Sequence, residues 1–182
     1  GGPAVAAAQY LRFPEVDLEC ALAAAFAAKA GEENRLTTLR GDLAAAALHL
    51  RHAAALERGD RSIWDNLGIV LQKSGDHAGA RAAFRTALAL APTAAGIWSN
   101  AAGNELDAGN SAEAQRLAGK AVALAPQLAA GWLQLGNALS RLQRTAEAEA
   151  ALREALRIQP RYPEALLSLG TALAAQNRLR EA

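Results

Sequence analysis

Residues 64–92 read WDNLGIVLQKSGDHAGARAAFRTALALAP, and this stretch decides the fold. Trp64, Leu67, Gly68 and Leu71 recur at helical spacing and mark one face of a helix. Gly75-Asp76 then interrupts the pattern. Glycine suits the left-handed position just past a helix, and aspartate can cap the N-terminus of the next one. Ala80, Phe84, Ala87 and Leu88 form a second stripe. Pro92 ends it, because an interior proline removes a hydrogen bond and clashes with the preceding turn. The stretch is a pair of helices joined by a tight turn.

Working outward, the same marks return every 34 residues. Trp64, Trp98 and Trp132 keep this interval, with Leu166 next in line, and Pro92, Pro126 and Pro160 keep it too. Ala80, Ala114, Ala148 and Ala182 form another column, as do Ala87, Ala121 and Ala155. Two neighbouring columns run Leu67, Ala101, Leu135, Leu169 and Gly68, Ala102, Gly136, Gly170. A last one runs Leu71, Glu105, Leu139, Leu173. Gly109-Asn110 repeats the turn device. Small residues such as Gly68 and Ala80 are expected where two helices cross, and Trp64, Leu71 and Phe84 between neighbouring pairs. A single pair cannot bury its apolar face alone, so stability has to come from stacking.

Composition agrees. Of 182 residues, 52% are hydrophobic but only 4% aromatic, so alanine and leucine, strong helix formers, supply the apolar mass. Nineteen basic against eighteen acidic side chains give a net charge of +1, too little to draw nucleic acid or an anionic membrane. Cys20 stands alone, which excludes an internal disulfide and a thiolate metal cluster. No run reaches the length of about 18–20 apolar residues that spans a membrane. No signal-peptide pattern is read in the opening residues, and a cytoplasmic setting is expected. The opening Gly1-Gly2-Pro3 and the absence of methionine are expected of a piece of a longer protein.

The columns Trp-x-x-Leu-Gly-x-x-Leu, Gly-Asp and Ala-x-x-x-Phe-x-x-Ala-x-x-x-x-Pro, seen from Trp64 to Pro92, resemble the tetratricopeptide repeat family. The resemblance implies an all-α fold, a right-handed α-solenoid of antiparallel helix pairs. Residues 61–94, 95–128 and 129–162 read as full units, and 163–182 as a truncated one. Residues 41–60, with Gly41-Asp42, Ala46, Leu50, Ala53 and Leu56, fit the second helix of a degenerate unit in which Arg58 replaces the proline. Residues 1–40 are expected to be an irregular helical segment, with a helix starting at Pro14-Glu15, carrying Leu18, Leu22, Ala25 and Phe26, and ending at Gly31.

In this family the first helices line a concave groove that binds an extended peptide or a partner helix. Carried over by position, the groove comprises Asn66, Ile69 and Lys73, then Asn100 and Gly103, then Gln134, Asn137 and Arg141, and finally Ser168. The column Asn66, Asn100, Gln134, Ser168 partly resembles the asparagine ladder in the repeat domain of O-linked N-acetylglucosamine transferases. An amide both donates and accepts, so such a row can hold a peptide backbone without reading side chains. A family mode that clamps a C-terminal carboxylate is not matched: Asn100 fits, but Asp65, Ile69, Ala130 and Gln134 occupy the other places. Gly103 on the groove side leaves room for a ligand backbone to approach; the alternative, preferred reading is a locally loosened helix with Glu105 reaching solvent past its neighbours.

Catalytic signatures do not emerge. His49 and His52 share a helix face but lack further convergent ligands, so they are expected to be solvated rather than to hold a metal. No catalytic triad, phosphate loop or nucleotide fingerprint is present, and no cofactor is expected. The expected role is therefore protein–protein interaction without turnover. Two alternatives stand beside it. One is a substrate-recruiting arm of a larger bacterial enzyme, such as a glycosyltransferase or sulfotransferase, with its catalytic domain elsewhere. The other is a self-assembling scaffold, a homo-oligomer formed through the apolar residues Leu166, Leu169 and Leu173 of the last unit.

Overall fold

The computed structural model describes residues 36–175. Among them are eight helices and no strand: α1 Leu36–Leu56, α2 Arg61–Ser74, α3 His77–Leu90, α4 Ala95–Asp107, α5 Ser111–Leu124, α6 Ala129–Arg141, α7 Thr145–Ile158 and α8 Pro163–Ala175. The fold is all-α, built of helix pairs joined by short turns, the arrangement of an α-solenoid. The expected helix from Pro14, the placement of Cys20 and the column position of Ala182 lie outside the described residues. The chain divides into two compact units, Gly1–Leu90 and Ala91–Ala182.

In the first unit α1 packs on α2, and α2 on α3. The buried stripe of α1 is Leu43, Ala46, Leu50 and Ala53, at helical spacing. This helix starts at Leu36 and runs through Gly41 and Asp42, five residues ahead of the boundary expected from the repeat register. The Gly-Asp pair ends a helix only when its glycine turns left-handed, and here the helix continues across it. At Gly75 the turn does form. Gly75 adopts φ 85°, and the Asp76 amide donates to the Leu71 carbonyl at 2.9 Å. Asp76 Oδ1 then accepts from the Gly79 amide at 2.8 Å and caps α3. Where α2 and α3 cross, a Cβ added to Gly68 would lie 2.6 Å from the Phe84 ring. Glycine is the residue that allows this approach.

In the second unit the first-type helices α4, α6 and α8 pack in that order, α4 on α6 and α6 on α8. The second-type helices α5 and α7 pack on the first helices either side of them. Leu133, Leu152, Ala155, Ala165 and Ala172 form a buried cluster, with Trp132, Leu156, Tyr162 and Leu169 against it. Trp132 also borders Leu139, Ala148 and Ala151. It therefore fills space between one pair and the next helix. Full burial of each leucine contributes roughly 1.5–3 kcal/mol. Gly136 repeats the role of Gly68, since a Cβ there would come 2.6 Å from Leu152 Cγ.

The turns of this unit reuse one geometry with different residues. Gly109 sits at φ 82°, and the Asn110 amide donates to the Glu105 carbonyl at 2.7 Å. Gln143 takes the same place at φ 63°, and the Arg144 amide donates to the Leu139 carbonyl at 2.9 Å. A side chain in the left-handed region costs about 1–2 kcal/mol relative to a right-handed residue.

The tryptophan column has a second role beyond packing. Trp98 Nε1 donates to the Pro92 carbonyl and Trp132 Nε1 to the Pro126 carbonyl, each at 2.8 Å. In the first unit Trp64 Nε1 donates to the Arg58 carbonyl at 3.1 Å. Each indole reaches back six residues to the turn that precedes its helix, so the partly exposed ring keeps its only donor satisfied.

Candidate peptide-binding face

Helical spacing places the expected site residues on one stripe of each first-type helix. On α2 the stripe is Asn66, Ile69 and Lys73; Asn66 and Lys73 are exposed and Ile69 is half-buried. Lys73 lies in the last turn of its helix, where a cation is favoured by the helix dipole. In the second unit the stripes lie on α4, α6 and α8. Asn100, Gln134 and Ser168 occupy equivalent places on these three successive helices, and all three are half-buried. Asn137 is half-buried one turn beyond Gln134.

Two members of the expected set are differently engaged. Gly103 is buried, so it offers no open surface for a ligand backbone; the exposed residue further along that stripe is Asp107. Arg141 donates through its Nη1 to the Leu106 carbonyl near the end of α4. This bond spans neighbouring first-type helices and adds a second donor to a carbonyl that also accepts from the Gly109 amide at 3.0 Å. Arg141 thus joins α6 to α4 as well as facing outward.

Glu105 overturns the expectation that it reaches solvent: it is 3% exposed. Its Oε2 accepts from Asn110 Nδ2 at 2.8 Å and its Oε1 from Asn104 Nδ2 at 3.4 Å. Asn104 is itself fully buried. A carboxylate withdrawn from water needs such donors, because unpaired burial of a charge is costly. Where the same column carries Leu71 and Leu139, α4 has a hydrogen-bonded polar centre. The signal was present in the flanking asparagines, although only the closed turn brings Asn110 back onto Glu105.

The electrostatics of the remaining surface are local. Glu113–Arg116, Arg144–Glu147 and Glu154–Arg157 pair at helical spacing on exposed faces. Hydrogen bonds from Arg157 hold the Glu154 carboxyl below its ordinary value, and those from Arg144 do the same for Glu147. Burial, with a smaller contribution from Glu164, raises the Tyr162 hydroxyl. Lys120 Nζ stands 6.0 Å from the centre of the Trp98 ring. His49 is half-buried and His52 exposed, and no cluster of three or more metal-ligating side chains occurs among the described residues. None of the described helices is long and apolar enough to cross a membrane.

Helix pairs repeated in register, with one polar position offered by each first helix, define an α-helical repeat protein. Residues 62–94 and 129–172 match two family models, each described as tetratricopeptide repeat. These two segments carry tetratricopeptide repeats. Among solved structures it is similar to the MamA protein, at a TM-score of 0.69 and 16% identity over 91% of this chain and 85% of that one. It is also similar to the Sgt2 tetratricopeptide domain from Aspergillus fumigatus, at 0.63 and 18% over 67% and 82%. A third is the first such domain of Spaghetti (RPAP3), solved bound to the HSP90 peptide SRMEEVD, at 0.61 and 21% over 64% and 93%. At these identities the likeness is one of fold. No curated protein matches the chain.

Proposed function

We propose that the chain is a protein-interaction module whose second unit holds an extended peptide along α4, α6 and α8. The observation that carries this reading is the row Asn100, Gln134, Ser168, one hydrogen-bonding side chain at the same place on each of three helices packed in sequence. Asn100 and Gln134 each offer donor and acceptor, so together they pair with successive peptide groups of a guest backbone. Asn137 and the free N–H groups of Arg141 flank the row. In the first unit Asn66, Ile69 and Lys73 present the same stripe on α2. The Spaghetti domain, of the same fold, carries a bound peptide, which supports recognition of this kind. Backbone recognition makes the module tolerant of guest sequence.

Selection from a displayed library of random peptides tests this. The wild-type chain is expected to enrich binders that the Asn100→Ala, Gln134→Ala double variant loses by about tenfold or more, since each lost amide removes a hydrogen bond or two. Equal enrichment by both chains sinks the reading.

A further inference from the structure

Arginine meets glutamate in one recurring way in the second unit. Arg116 donates to Glu113, Arg144 to Glu147 and Arg157 to Glu154, each through Nε and Nη2, at 2.6–3.0 Å. These two groups form one edge of the guanidinium, which matches the two oxygens of a carboxylate. Arg153 differs, meeting Glu149 through Nη1. Arg141 presents the same edge without an acid on it. Its Nη1 donates to the Leu106 carbonyl, and no described residue accepts from its Nε or Nη2. The residue is exposed. Its bond to α4 holds the head group in place before any guest arrives, which lowers the cost of ordering it on binding.

Arg141 also stands in line with the amide row. On α6, Gln134, Asn137 and Arg141 follow one another at i, i+3 and i+7, so Arg141 starts about 10 Å along the axis from Gln134. A helical side chain leans over the turn before its own Cα, which shortens that gap. Among the described residues of the stripes on α4, α6 and α8, Arg141 is the one cation, and its equivalent on α4 is the acid Asp107. An anion is therefore drawn to α6 and not to α4.

We propose, resting on the peptide reading above, that the guest carries an acidic side chain where it crosses α6, its carboxylate seated on the Nε–Nη2 edge of Arg141. The row runs on from Gln134 to Ser168 of α8, so the guest passes over α6 and does not end there. The carboxylate is accordingly a side chain and not a chain terminus. Amides holding the main chain tolerate any sequence, and Arg141 adds the preference.

Two phage libraries of random dodecapeptides supply the test, one with all residue types and one lacking aspartate and glutamate. Both are fused through the peptide C-terminus, so no terminal carboxylate is offered. The wild-type chain is expected to enrich the first about fivefold over the second in each round. Arg141→Gln is expected to abolish that preference while enriching acid-free binders as the wild type does, which shows an intact fold and row. No preference in the wild type overturns the proposal, as does a preference that persists in Arg141→Gln, or no binders from either library. If circular dichroism shows that Arg141→Gln fails to fold, Arg141→Lys decides, since an ammonium lacks the paired edge; an undiminished preference then overturns the proposal. The Asn100→Ala, Gln134→Ala variant separates the two readings. Full enrichment with the acid preference kept sinks the row alone and upholds Arg141. Lost enrichment in that variant, beside a wild type indifferent to acid, sinks Arg141 alone.

Discussion

Gly136 and Leu152 meet so closely that a Cβ on the glycine would lie 2.6 Å from Leu152 Cγ. Gly170, in the same column, faces open space. One substitution should therefore have opposite effects at the two places. Gly136→Ala is expected to destabilise by about 1–3 kcal/mol, the usual cost of overpacking. Gly170→Ala is expected to stabilise by about 0.5–1 kcal/mol, the gain from replacing an unconstrained helical glycine. Urea denaturation of both variants checks this, and equal signs would show that the notch is not a crossing contact.

Gln143 occupies a left-handed position that glycine holds at Gly75 and Gly109. Gln143→Gly is expected to raise stability by about 1 kcal/mol, with the extra freedom of glycine in the unfolded chain offsetting part of the relieved strain. A thermal melt that falls instead would mean that the Gln143 side chain makes a contact worth more than that strain.

The buried carboxylate of Glu105 accepts from two asparagine amides. Glu105→Ala is expected to cost about 2–3 kcal/mol, because it opens a cavity and leaves buried donors unsatisfied. Amide hydrogen exchange across residues 104–111 should speed up with it. Protection unchanged from wild type would contradict a locking role for this centre.

Glu154 titrates below the ordinary carboxylate value because Arg157 donates hydrogen bonds to it. Its contribution to stability is present at neutral pH and is lost as pH falls through its depressed folded pKa. The pair is exposed, so the contribution is small. In Arg157→Gln the NMR titration midpoint of Glu154 is expected to move upward. A midpoint that stays put would refute the pairing.

The repeat pattern reveals the helix pairs because each column mark has a local cause. Gly75 and Gly109 turn left-handed where a helix must stop, Gly68 and Gly136 lie under a large side chain, and Trp132 sits between a pair and the next helix. What stays hidden depends on contacts that no local pattern encodes. The dipeptide Gly41-Asp42 is identical to Gly75-Asp76, yet the first lies within a helix and the second ends one. Asn110 reaches Glu105 only after the turn closes, and Arg141 bonds a carbonyl 35 residues earlier, on a different helix. For the same reason burial of Gly103 and Glu105 is invisible along the chain, where the first reads as a groove position and the second as a gap in the column Leu71, Leu139, Leu173.

The indole bond of Trp64 ends on the carbonyl of Arg58, while its two successors end on prolines. A main-chain oxygen is the same whichever side chain hangs beside it, so that place in the motif is free to drift without slackening the joint. Degenerate units of such arrays are better traced by their aromatic anchor than by their proline.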